Sequence, residues 1–250
     1  MGNKLYVAIL RVLVPLWLKV FLIFLLCMVS MIPTMAQETG EDELGNWLMY
    51  FGTSKLSDRY SLHTEVQLRL FEPINNFNQL LPRIGINYHI TPSAWATLGY
   101  AWIPTESYEK GPNLKSSTEN RIWEQFLLRD KVGRFAFEHR YRLEQRWISS
   151  EGTDTYLDRI RYRLMITVPL SNKEMLPGTW FAAVYDELFM NITDNPFDQN
   201  RLYVALGYKL NESLSFQSGF LYHRLGSLNY NRLQFAVFWN MNWSRQAGEQ

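Results

Sequence analysis

The run GRFAFEHRYRLEQRW, residues 133–147, constrains the fold more than any other stretch of the chain. Every second residue gives one set of Arg134, Ala136, Glu138, Arg140, Arg142, Glu144 and Arg146. The other set is Phe135, Phe137, His139, Tyr141, Leu143, Gln145 and Trp147. A strand sends successive side chains to opposite faces, so one face is almost all charge and the other mostly apolar and aromatic. The run outlasts a soluble strand of ~5–6 residues. It suits the ~9–11 residues that a tilted strand needs to cross a bilayer. Polar lumen inside and apolar wall outside is the arrangement of a transmembrane barrel. A soluble sandwich or small barrel would turn the same faces the other way, with the apolar set enclosed.

Other segments repeat the pattern. In 59–71, Tyr60, Leu62, Thr64, Val66, Leu68 and Leu70 oppose His63, Glu65, Gln67 and Arg69. In 156–168, Ile160, Tyr162, Leu164, Ile166 and Val168 oppose Arg159, Arg161 and Arg163. Stretches 79–90, 94–103, 118–130, 179–190, 201–210, 214–224 and 231–243 read as further strands, and 46–51 as a short one. Hydrophobic residues make up 47% of the chain, yet mean hydropathy is −0.21, which fits apolar residues spread in alternation and not gathered into helical spans. The expected fold is all-β, a single antiparallel up-and-down transmembrane barrel of ten to twelve strands over 44–243. Strands from 59–71 to 231–243 make about ten, an even number of the kind bacterial barrels prefer. Segment 44–51 is then left over, to pair with 37–43 or to lie in the lumen or at the periplasmic rim. Connections at 91–93, 131–132 and 211–213 read as short. Those at 72–78, 104–117, 149–155, 191–200 and 225–230 read as long or polar, which matches short periplasmic turns and longer external loops.

The N-terminus reads as an address. Lys4, Arg11 and Lys19 precede an apolar run from Val20 to Ile32, and Pro33-Thr34-Met35-Ala36 follows. A basic start, an apolar core and a small final residue describe a secretory signal peptide over 1–36, cleaved after Ala36. A permanent anchor is the rival, but Arg11, Pro15 and Lys19 interrupt the preceding apolar residues. The acidic 37–43 would be mobile and 244–250 a C-terminal tail. The single cysteine, Cys27, lies inside the signal, so the mature part offers no disulfide and no thiolate metal site. Formal net charge of +1 implies no bulk electrostatic partner such as nucleic acid. The expected location is the bacterial outer membrane, and no cofactor or metal is expected.

The inward face carries the functional signal. It collects Arg69, Arg83, Arg121, Arg129, Arg140, Arg142, Arg146, Arg159, Arg161, Arg163, Arg201 and Arg232, with Glu65, Glu138, Glu144 and Glu187 as the acids. In a narrow lumen such charges must pair or stay hydrated, because an unpaired buried charge costs several kcal/mol. Arginine's planar fork can satisfy a carboxylate bidentately. Three readings follow: a salt-bridged plug in a structural or accessory barrel, a porin-like channel biased toward small anions, or a pocket for an anionic solute or lipid headgroup. The pocket could also belong to a soluble periplasmic barrel. His63, His89 and His223 read as lumen members without metal spacing.

A catalytic alternative rests on the outer face. If Lys131-Val132 is a two-residue turn, Asp130 meets Gly133 and Glu124 lies opposite His139. A carboxylate and an imidazole on a lipid-facing wall are expensive, and a histidine oriented by a carboxylate is part of a hydrolase triad. That pair would serve a lipid-modifying hydrolase. No serine shares their face on the two strands to complete the set.

Several motifs resemble those of one family. They are Trp47-Leu48-Met49-Tyr50, Arg121-Ile122-Trp123-Glu124-Gln125, the arginine-rich pair 138–146 and 159–163, Tyr185-Asp186-Glu187-Leu188-Phe189, and the closing 201–224. Together they resemble the domain of unknown function 2490 family across essentially all of 44–243. The resemblance implies an outer-membrane β-barrel of Gram-negative bacteria, common in the Bacteroidetes lineage, and carries no activity.

Overall fold

The computed structural model describes residues 44–108, 114–193 and 195–243. They form eleven strands: β1 Gly45–Lys55, β2 Tyr60–Leu70, β3 Phe77–Thr91, β4 Ala94–Glu106, β5 Ser116–Val132, β6 Phe135–Ser150, β7 Thr153–Pro169, β8 Thr179–Asn191, β9 Phe197–Lys209, β10 Leu214–Leu225 and β11 Leu228–Asn242. Each pairs with its neighbours in chain order, and β1 pairs with β11 to close a barrel. The expected signal segment 1–36, the acidic 37–43 and the tail 244–250 lie outside the described residues.

Side-chain direction follows the alternation. Phe135 is 50% exposed and Leu206 49%, on the outer wall, whereas the Glu144 and Trp123 side chains are fully enclosed. The apolar set therefore looks outward and the guanidinium groups look inward. With strands ~4.8 Å apart and tilted by ~40°, eleven strands give a backbone radius of about 11 Å. Arginines from neighbouring strands reach inward far enough to meet, so side chains fill part of the lumen and leave a cavity beside them.

The topology corrects the expectation of a wholly antiparallel, even-numbered barrel. Segment 44–51 is neither in the lumen nor paired with 37–43; it belongs to β1, a full wall strand. It runs antiparallel to β2 and parallel to β11, with Gly45 opposite Arg232 and Lys55 opposite Asn242. An odd count forces this, because an up-and-down chain with eleven strands brings its first and last strands together in the same direction. β1 consequently begins at one rim and β11 ends at the other. The N-terminal rim holds connections 71–76, 107–115, 151–152, 192–196 and 226–227; the C-terminal rim holds 56–59, 92–93, 133–134, 170–178 and 210–213.

Connection lengths also depart from the expected alternation. Residues 151–152 and 226–227 are tight turns where long or polar connections were expected, while 170–178 is a long connection on the other rim. Strands simply run further than their hydrophobic pattern: β7 and β5 each have 17 residues. The β5–β6 turn is Gly133-Arg134, not Lys131-Val132, with Val132 opposite Phe135. Gly133 holds φ +59 there, a left-handed conformation that glycine adopts without steric cost.

Candidate functional site: the arginine-filled lumen

One carboxylate organises the N-terminal half of the lumen. Glu144 on β6 has no exposed side-chain surface. Its Oε1 accepts hydrogen bonds from Arg121 Nη1 at 3.2 Å and Arg161 Nη1 at 2.6 Å. Its Oε2 accepts from Arg159 Nε at 3.0 Å and Nη2 at 2.6 Å. Arg142 Nη1 stands 3.8 Å away. These groups meet because Arg121, Arg142, Arg159 and Arg161 share the inward parity on β5, β6 and β7, where the register sets Glu144 opposite Trp123 and Arg159.

The cluster spreads through bridging arginines. Arg161 also donates to Glu187 Oε1 from Nε and Nη2, at 2.9 and 2.6 Å, and Arg140 reaches the same oxygen at 2.6 Å. Arg121 reaches Glu119 at 2.6 Å, and Arg146 donates to both Glu119 oxygens at 2.9 Å. Arg159 Nη1 pairs with Asp198 at 2.7 Å. The ion pairs therefore tie β5, β6, β7, β8 and β9 together through side chains as well as backbone. Toward the C-terminal rim, Glu138 pairs with Arg129 and Arg163, and across the lumen Glu65 pairs with Arg83 at 2.7 Å. Each carboxylate serves two or more cations in most of these contacts, which is how a few acids hold a larger set of arginines.

Aromatic rings carry the rest. Arg142 lies 4.6 Å over the Trp123 ring, whose other neighbours include His63 at 5.6 Å. Arg161 and Arg201 lie 4.1 and 4.5 Å over Phe189, and Arg69 lies 3.8 Å over Trp47. A ring face offers a guanidinium attraction where a carboxylate is missing. Gly99 makes room for Trp123: a Cβ at that position would collide with the indole.

The C-terminal half is hollow. A cavity of about 590 Å³ reaches from Trp47, Arg69 and Arg201 on its floor to Pro92, Asn211 and Glu212 at the C-terminal rim. Its lining includes Arg83, Arg140, Arg142, Arg161 and Arg163 but only Glu65, Glu138 and Glu187 among the inward acids. The cavity is thus lined by more cations than acids, and Glu144, Arg121 and Arg159 lie outside its lining.

The expected inward arginines are brought together here, with Arg129 at the rim and Arg232 packed 4.8 Å over Tyr230. His63, His89 and His223 also face inward, bonded to Glu65, Ser61 and Gln199. Glu124 and His139 are on the outer wall, as expected, but they do not meet. Glu124 lies opposite Leu143 and accepts from Gln145 at 3.1 Å; His139 lies opposite Leu128 and bonds Tyr162 at 2.9 Å. Moving the turn by two residues slid the register by four, so the expected carboxylate–imidazole pair is corrected. Sequence reading also missed two acids. Glu119 shares the parity of Arg121 two positions on, a signal that was present. Asp198 fell in a stretch read as loop, where β9 has already begun at Phe197.

The family described as "Protein of unknown function (DUF2490)" matches residues 44–234. The chain belongs to that family. The match begins just before β1 and ends within β11, so family membership covers nearly the whole wall. No curated protein matches the chain.

Proposed function

We propose that this DUF2490 protein is an integral outer-membrane β-barrel whose lumen is a one-sided, anion-attracting basin and not a through-channel. Four supports converge. The outer wall is mostly apolar, with Glu124 and Asp186 as exceptions that bond to Gln145 and Asn200. Aromatic residues gather on that wall near both rims: Trp102, Trp147 and Tyr156 at the N-terminal side, Tyr60, Trp180 and Trp239 at the other. Such girdles mark the two interfaces of a barrel in a bilayer. The strands, of 11 to 17 residues, meet or exceed the ~9–11 needed to cross. The apparent signal peptide would deliver the chain across the inner membrane.

The observation that carries the reading on function is the Glu144 cluster. Arginines from three strands converge on one enclosed carboxylate and join two further acids, Glu119 and Glu187. Opening a path there would strand several buried charges, each at a cost of several kcal/mol. The conductance of purified protein in a planar bilayer tests it. The expected result is an intact bilayer with no unitary steps in potassium chloride; stable anion-selective steps would establish a channel instead.

A further inference from the structure

We infer that the basin binds an amphiphilic organic anion, head down, with its oxyanion held by Arg69 and Arg201, which both pack against Trp47. The inference rests on the basin reading above and names its ligand.

The floor holds two cations that no carboxylate contacts directly, although Glu65 and Glu187 lie nearby. Arg69 and Arg201 are each 8% exposed, and neither makes an ion pair among the described residues. Arg69 donates only to neutral amides, to Gln67 Oε1 at 2.7 and 3.1 Å and to Gln79 Oε1 at 2.8 Å. Arg201 donates to Gln199 Oε1 at 2.8 Å, and its Nε–H has no partner. The cross-strand neighbour of Arg201 is Glu187, but Oε1 of that carboxylate already receives Arg140 and Arg161. Both guanidinium groups rest on Trp47, at 3.8 and 4.9 Å from its ring centre. The Tyr203 hydroxyl, packed in the same cluster as Trp47, is a second buried donor without a partner. Two enclosed cations and two orphaned donors around one ring are costly in an empty site and favourable around an oxyanion, which guanidinium forks bind bidentately.

The wall above the floor sets an apolar patch among its polar groups. Phe51 and Phe238 stack at 5.0 Å, and with Phe181, Met165, Met175 and Trp95 they form an apolar patch in a lining that also carries His89, Arg129, Arg163 and Lys209. An aromatic and methionine patch accepts an apolar body of variable shape. A cavity of about 590 Å³ lies in the range of small-molecule sites. Inorganic ions would satisfy the floor and leave this patch wet, so the ligand is an oxyanion carrying an apolar chain or ring. A carboxylate and a phosphate monoester both fit the head.

Isothermal titration tests the inference, using the mature protein in phosphatidylcholine nanodiscs with empty discs as the reference. Octanoate and octyl phosphate are the probes, with octanol and inorganic phosphate as the head-less and tail-less controls. Saturable binding is expected for at least one octyl anion, at least tenfold tighter than either control; the tighter of the two identifies the head. Affinity should rise severalfold from butanoate to octanoate, a readout that needs no variant. Arg69→Gln and Arg201→Gln should each weaken binding at least tenfold. Octanol binding as well as octanoate, inorganic phosphate matching it, or variants that bind like the wild type would overturn the inference. A channel found in the bilayer experiment would count against the closed lumen and leave these affinities to be judged separately.

Discussion

Glu144 is the residue on which the lumen turns. Its carboxylate is enclosed and faces Arg121, Arg159 and Arg161 within hydrogen-bonding distance. Removing one partner of a buried charge cluster costs about 3–5 kcal/mol, because the remaining charges lose both water and counter-charge. Glu144→Gln should therefore lower unfolding free energy by about that amount. Urea titration of the refolded protein in vesicles, followed by tryptophan emission, measures it. Gly99 makes a steric case of the same kind. Gly99→Val should cost about 1–3 kcal/mol, the range for overpacking, because Trp123 has no room to yield between Arg142 and the sheet. The parity of the arginines was legible in the sequence because period two needs no knowledge of neighbours. Their partners were not. Which carboxylate meets which guanidinium depends on the register between strands, and a turn displaced by two residues, from 131–132 to 133–134, was enough to separate Glu124 from His139.

At the scale of elements, the parallel seam is the feature that a strand-by-strand reading could not reach. Residues 46–51 looked like a strand, but closure is a property of the count, and an extra strand has no local signature. β1 joins the two halves of the barrel with Leu48 opposite Leu68 on one side and Phe235 on the other. Cys27 is the single cysteine of the sequence, so an introduced pair is unambiguous in protein that begins at Gln37. Leu48→Cys with Phe235→Cys should form a disulfide on mild oxidation, since Cα atoms of paired strands fall within the ~4.4–6.8 Å that a disulfide spans. A shift in electrophoretic mobility under non-reducing conditions reports it. Leu48→Cys with Ile84→Cys, separated by β2, should not cross-link and serves as the control. β5, β6 and β7 carry most of the charge cluster, so local opening should begin elsewhere. Backbone amides of β5–β7 should exchange with deuterium more slowly than those of β10 and β11.

For the whole molecule, the apolar face decides everything else. The alternation, the composition and the excess of aromatic residues all allowed two folds that differ only in which side is wet. The barrel has Phe135, Tyr162 and Leu206 on the outside and Arg142 and Arg161 enclosed, and the proposed membrane location accounts for an exterior of that kind. The most direct measurement is a nitroxide scan along β7, from Arg159 to Val168, in reconstituted bilayers. Spin labels at positions 160, 162, 164 and 166 should relax strongly with molecular oxygen, which concentrates in the acyl region, and weakly with a water-soluble nickel complex. Positions 159, 161 and 163 should not share that oxygen response. A scan with no period of two, or labels at 160–166 that respond to nickel as water-exposed sites do, would contradict a lipid-facing wall.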